Sequence, residues 1–356
     1  MAETFVSANL VLPGTYIRVR SEGLIGVGGI SAGNIGIVGK TATGGGATVT
    51  LSTAAEVEAA FGAPSVTGGA LNLAAMLGEL YRNGARTVFA RGVANNADQA
   101  AYTAAFGELV KEDVQILVAP DLTTAQAISV LPPILETAEN AGHDIMAVIG
   151  GDGADAAAVE DQAPTDDRVI FAAPGYYVFN PADPDTDLAL AGTYMAGPVA
   201  GLLSSLAPHV SPTNKVLPGV TRLTQRYTYA QRIGLTQNRT LALEQRGGVR
   251  VVRGLTTDNA GFTQVTTRRI VDFAKAGIRK ASDPFIGNLN NERVRAALAG
   301  AIDGFLTSMR IDEQLTAYQL EVTATRRDEI EGRAVVNVLL QPTFSIDFVA
   351  VTIVLQ

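Results

Sequence analysis

The 356-residue chain contains no cysteine and no tryptophan, and its only histidines are His143 and His209. Without thiols there are no disulfides, thiolate nucleophiles, zinc fingers or iron–sulfur clusters. Two imidazoles leave little for histidine metal sites or histidine acid–base chemistry. Aromatic residues make up just 6%. Basic residues are outnumbered 27 to 35, and the net charge of −8 argues against a strongly basic nucleic-acid-binding face. No uncharged apolar run approaches the roughly 18 residues of a membrane span, and Met1-Ala2-Glu3-Thr4 carries no basic leader. The expectation is therefore an acidic, soluble protein made in a reducing cytosol, with no nucleic acid partner and no direct membrane insertion. Gly and Pro, 37 and 15 residues, lack the period of collagen or the density of a disordered chain. What is abundant is apolar content, 47%, enough for a sizeable core.

The length suggests two to three domains. Residues 1–20 read as an extended arm and first strand, with Thr15 to Arg20 alternating after the Pro13-Gly14 turn. Residues 21–95 read as a small α/β region. Strands are expected at Asn34–Gly39, Thr48–Leu51 and Thr87–Arg91. Thr53-Ala54-Ala55-Glu56 has the spacing of a helix capping box, and Leu73, Met76, Leu77 and Leu80 mark an amphipathic helix ending at Gly84. Residues 96–200 alternate helix and strand: helix 98–111, strand Val114–Ala119, a helix entered at Pro132-Pro133, then strands Ile145–Ile149 and Val169–Ala172. Continuous apolar strands separated by helices predict a mostly parallel sheet covered on both faces. Residues 201–341 read as an α+β unit with helices near 266–280 and 290–309 and β runs at 318–323 and 334–340. Residues 342–356 form a second extended arm, giving an α/β and α+β fold with β arms at both ends.

Several candidate sites resolve into ordinary structure. Gly39-Lys40-Thr41 resembles the end of a phosphate loop, but the required earlier glycine falls on Asn34. Gly26-Val27-Gly28-Gly29-Ile30-Ser31 lacks the third glycine of a dinucleotide fingerprint. Asp183, Asp185 and Asp187 open like a calcium loop, yet Leu188 and Tyr194 replace its glycine and glutamate. No cofactor and no metal is expected. Asp152, Asp155, Glu160, Asp161, Asp166 and Asp167 cluster between two strands, which keeps open an enzyme using the Asp152–Asp167 carboxylates. On the helix near 266–280, Arg268, Asp272, Lys275 and Arg279 share one face; this is either a solvated face or a docking stripe for an acidic partner.

The terminal segments carry the sharpest signal. Residues 344–353 put Phe344, Ile346, Phe348 and Ala350 on one face of a strand and Val349, Val351 and Ile353 on the other, so both faces carry apolar side chains. Such a strand suits insertion into another sheet, where its N–H and C=O groups find partners.

The order of several blocks resembles the contractile tail sheath family of phages, tailocins and contractile injection systems. Leu12-Pro13-Gly14-Thr15-Tyr16 is similar to that family's Pro-Gly-Val-Tyr start. Leu51 to Phe61 with Gly69-Ala70-Leu71 and the helix to Gly84-Ala85-Arg86-Thr87-Val88 resembles its next block. Val210-Ser211-Pro212-Thr213-Asn214, Gly248-Val249-Arg250-Val251-Val252-Arg253-Gly254 and Arg268-Arg269-Ile270-Val271-Asp272-Phe273 resemble later ones. The resemblance implies a non-enzymatic subunit of stacked hexameric rings around an inner tube, ending on baseplate and tail terminator proteins. It places the protein in a phage tail or injection-system particle assembled in the bacterial cytoplasm. It also implies inter-subunit arms carrying Phe5, Val6, Leu10, Phe344, Ile346, Phe348, Val349, Val351 and Ile353, with the 318–340 β pair of another copy as acceptor. Arg268, Lys275 and Arg279 are expected to face the tube. The rival readings are the enzyme named above and a non-contractile tube or lattice subunit.

Overall fold

The computed structural model describes residues 30–42, 46–180, 183 and 185–354. Eight strands build one sheet. The first strands are β1 (Ile35–Lys40) and β2 (Thr48–Leu51), followed by helix α1 (Ala54–Phe61), the small hairpin β3 (Val66–Thr67) and β4 (Ala70–Leu71), and α2 (Leu73–Arg82). Next come β5 (Val88–Val93), α3 (Gln99–Leu109), β6 (Ile116–Val118), α4 (Thr124–Asn140), β7 (Met146–Gly150), α5 (Ala156–Gln162) and β8 (Val169–Ala173). A second small hairpin, β9 (Tyr177–Phe179) and β10 (Asp187–Ala189), precedes α6 (Ala196–Ser205) and α7 (Tyr229–Gln237), and β11 (Thr240–Gln245) and β12 (Val249–Val251) close the sheet.

The strand order is β12-β11-β8-β7-β6-β1-β5-β2, with only the edge strands β2 and β12 antiparallel. The inner strands are buried along nearly their whole length, β7 and β8 at every residue. Burial on both faces is what parallel crossovers impose, and it explains the unbroken apolar runs. The expected capping box is present: Glu56 N–H donates to Thr53 Oγ1 at 3.3 Å while Glu56 Oε2 accepts from Thr53 N. Gly84 takes φ +106°, the conformation a glycine after a helix end supplies.

Three expectations change. The segments 21–95 and 96–200 are not separate sheets, and the sheet runs past residue 200 into β11 and β12. Helix α4 begins at Thr124, not near Pro133, nucleated by a capping box between Thr123 and Gln126. Its prolines lie mid-helix, where the partnerless carbonyls fall on the half-exposed to exposed side at Ile128 and Ser129, within reach of water. Finally, residues 343–354 form no strand within their own chain.

The C-terminal unit packs α8 (Val265–Ser282) against α9 (Glu292–Ile311). Ile270, Ala274, Ile302, Phe305, Leu306 and Met309 make its core. The antiparallel pair β13 (Leu315–Thr323) and β14 (Val335–Pro342), joined through the short helix α10 (Arg326–Ile330), lies across it.

Candidate functional site: an open hairpin, a bare tail and an internal charge cluster

Alternation decides the two faces of the β13–β14 hairpin. Tyr318, Leu320, Val322, Val336, Val338 and Leu340 point to the α8–α9 core. Gln319, Glu321, Asn337 and Leu339 point outward. The inner-face residues remain only half-buried, so the helices do not fully cover them. Two strands are too few for a stable free-standing sheet, and here neither outer edge pairs with another described strand. The hairpin thus offers two rows of backbone donors and acceptors beside incompletely covered apolar side chains.

The tail that follows is the complementary object. Phe344, Ile346, Phe348, Val349, Val351, Ile353 and Val354 are each more than 60% exposed. Single exposed apolar residues are ordinary, but seven in one short extended stretch are a contiguous sticky ribbon. The residues of the expected N-terminal arm, Phe5, Val6 and Leu10, lie outside the described residues.

The cationic stripe of α8 resolves differently from either expectation. Arg268 is buried; it donates from Nε to Asp272 at 3.1 Å and from Nη1 to Asp167 at 2.7 Å. Lys275 pairs with Glu139 at 2.9 Å and with Asp144, and Arg279 reaches Asp144 at 2.5 Å. Arg168 sits at the centre, donating to Glu139 at 2.6 Å, Asp144 at 3.0 Å and Asp272 at 3.1 Å. These residues come from α8, from the end of α4 and from the loops entering β7 and β8, so the stripe fastens the C-terminal unit to the sheet domain. Arg268 is 4% exposed and offers a tube almost no surface, whereas Lys275 and Arg279, although paired, keep side-chain exposures of 34% and 42%. The spacing on one helix face was read correctly. Apart from Asp272, the partner carboxylates, 101 to 136 residues distant, could not be read from that spacing.

The electrostatics follow the pairing. The bond from Arg168, assisted by Lys275, holds the Glu139 carboxyl well below its usual range, at about 2. Burial opposes the charge of Arg168, but Glu139, Asp272 and Asp144 outweigh it and the guanidinium is held protonated more firmly than usual. Neighbouring Arg269 is buried with only carbonyl partners, Ala32 O and Leu206 O at 2.9 Å, and desolvation lowers it to about 10.

The carboxylates between Asp152 and Asp167 do not converge. Asp152 accepts from Thr124 N and Gln162 Nε2, Asp155 caps α5 through Ala158 N, and Asp167 belongs to the Arg268 pair. Asp166 accepts from Arg168 N–H. Among the described residues no group of three or more acidic or histidine side chains is arranged to hold a metal ion, and no helix is long and apolar enough to cross a membrane.

The architecture is thus an eight-stranded, mostly parallel α/β domain locked to a two-helix unit that bears an open hairpin and a bare tail. Residues 92–257 match the phage tail sheath protein central domain and residues 257–356 the phage tail sheath C-terminal domain. The chain belongs to the phage tail sheath family. Its fold is similar to the helical sheath of the anti-feeding prophage in the contracted state, at 17% identity and TM-score 0.75, covering 96% of this chain and 99% of that one. It is also similar to the contracted sheath of the PVC extracellular contractile injection system, at 16% identity and TM-score 0.75, covering 96% and 97%. A sheath tail protein from Listeria innocua matches at 13% identity and TM-score 0.70, covering 91% and 95%. None of the curated protein sequences matches this chain.

Proposed function

We propose that this chain polymerises as stacked hexameric rings around an inner tube, within a phage tail or injection-system particle, and contracts to drive that tube through a target envelope. Its role is mechanical, with no catalytic step. Its partners are further copies of itself, the tube, and the baseplate and terminator proteins at the sheath ends. The particle is assembled in the bacterial cytoplasm. The observation that carries the reading is the coexistence of the open β13–β14 hairpin and an apolar tail with no ladder of its own. Each supplies what the other lacks, and since the tail's own hairpin leaves it unpaired, the partner is a second copy. A head-to-tail contact of this kind closes into a ring or runs on as a helix according to its rotation, so repeated copies can build rings and link them into a helical lattice. Residues 1–20 are proposed as the equivalent arm at the other end.

The test is deletion of residues 343–356. The expected product is a folded subunit, melting within a few degrees of the full chain, that fails to form tubes in negative-stain images. Tubes of ordinary length from the truncated chain would refute the proposal.

A further inference from the structure

We infer that Asp347 divides the C-terminal tail into a root that stays on its own subunit and a donated segment that begins after Phe348. This rests on tail donation as proposed above.

Asp347 is the only charged residue after Pro342. Its side chain is 5% exposed, while its neighbours Ile346 and Val349 are 82% and 80% exposed. Its carboxylate accepts four hydrogen bonds: from Arg253 Nε at 2.7 Å, and from Gln264 Nε2, Thr213 Oγ1 and Ser345 Oγ at 3.2 Å. Three of these donors come from separate parts of the subunit body: the loop after α6, the turn after β12, and the residue preceding α8. The receptor is itself ordered, since Thr213 Oγ1 also accepts from Gly254 N at 3.0 Å. Gln264 clasps the root a second time, its Oε1 accepting from Ser345 N at 3.2 Å, and the Arg253 guanidinium lies 5.2 Å from the Phe348 ring centroid.

This clasp makes release costly. If the whole tail from residue 343 moved into a neighbour's sheet, the carboxylate would lose its three bonds from the body, and Arg253 would lose its counter-charge. From Val349 onward the sequence carries no charged side chain, no side-chain bond to the body holds the described residues, and Val349, Val351 and Ile353 share one face. The eight residues from Val349 to Gln356 equal β14 in length and span about 27 Å when extended. Asp347 is therefore a positioning residue: it fixes where the donated strand starts and limits how far the receiving hairpin can stand from its donor.

The absence of native cysteine makes a direct test clean. Gln264→Cys with Ser345→Cys, bridged by a short bismaleimide, ties the root to its own body, and the same protein left unbridged is the control. The bridged full-length chain is expected to polymerise to the same tube-length distribution as the control. Loss of tubes on bridging alone would overturn the inference, because it would mean that the root must leave. Asp347→Ala is expected to keep the subunit's melting temperature within a few degrees yet give at least tenfold fewer full-length tubes, and the bismaleimide bridge is expected to restore them. Wild-type tube yield from Asp347→Ala, or a loss that bridging fails to restore, would also overturn it. Deletion of residues 349–356 separates the two levels: if tubes still form, tail donation itself is wrong, whatever the root does.

Discussion

Replacing Arg168 with methionine removes the hub of the charge cluster while keeping much of its apolar length. In the native chain four cations, Arg168, Arg268, Lys275 and Arg279, face four carboxylates, Glu139, Asp144, Asp167 and Asp272. The substitution leaves one uncompensated negative charge. Two of the affected carboxylates are deeply placed, Asp144 at 3% and Asp272 at 11% side-chain exposure, whereas Glu139 is 40% exposed and rehydrates easily. Removing one partner of a buried ion pair costs about 3–5 kcal/mol. Asp144 keeps Lys275 and Arg279 and Asp272 keeps Arg268, so the lower end applies, about 3 kcal/mol. Urea titration is the appropriate assay, since guanidinium salt would itself screen the cluster. Of the bridges lost, the one from Arg168 to Asp272 crosses from the sheet domain to the α8–α9 unit, so Arg168→Met is expected to weaken that fastening and to broaden or split the unfolding transition relative to the native chain. A single transition displaced by less than about 1 kcal/mol, the scale of surface pairs, would refute the assignment of the cluster as a buried fastening.

Two further outcomes follow from local geometry. Gly277→Ala places a methyl within 1.9 Å of the Phe305 ring, where α8 crosses α9 in a filled core, and is expected to cost about 1–3 kcal/mol in the same titration; an unchanged midpoint would show the crossing to be looser than described. Acid sensitivity carries a sign fixed by Glu139: its carboxyl titrates near 2 in the folded chain against 4.5 ordinarily, so its contribution is complete above about 4.5 and disappears as pH falls toward 2. Glu139→Gln is therefore expected to flatten the fall of melting temperature across that window, while parallel curves for the two proteins would contradict the pairing with Arg168.

What the sequence displayed and what it hid divide along a physical line. Local chemistry was legible: the Thr53–Glu56 capping box, the helices near 266–280 and 290–309, and the β runs at 318–323 and 334–340 are found close to where the sequence placed them. Helix α6 was missed because Ala196 to Leu203 are all buried, so no contrast between faces exists for a period to reveal. The entry of α4 was misread because proline was weighed as a boundary, although tertiary burial of Val130, Leu131, Ile134 and Leu135 carries the helix through. The role of Arg268, Lys275 and Arg279 depended on carboxylates supplied by distant loops, which no spacing within one helix can announce. Asp347 was visible as a lone charge interrupting an apolar tail, and that interruption was the available clue to its four partners.

The same contrast bears on how such a lattice could move without coming apart. Inside the subunit, ion pairs join helix to sheet over many bonds, so deformation there is expensive. A donated segment from Val349 onward gains roughly 1.5–3 kcal/mol for each of Val349, Val351 and Ile353 buried, and about 1 kcal/mol per backbone bond. Ordering its backbone costs about 1–2 kcal/mol per residue, so one link alone is close to balanced. Under the proposed tail donation, strength would come from repetition: every copy would give one tail and receive another, and a link that opened would find its partner still held nearby by the others at high effective concentration. Weak single links between stiff bodies allow rings to shift past one another while the lattice keeps its connectivity, whereas strong links would freeze one geometry. A variant that stiffens or lengthens the donated ladder should therefore leave assembly intact and slow the change between polymer states.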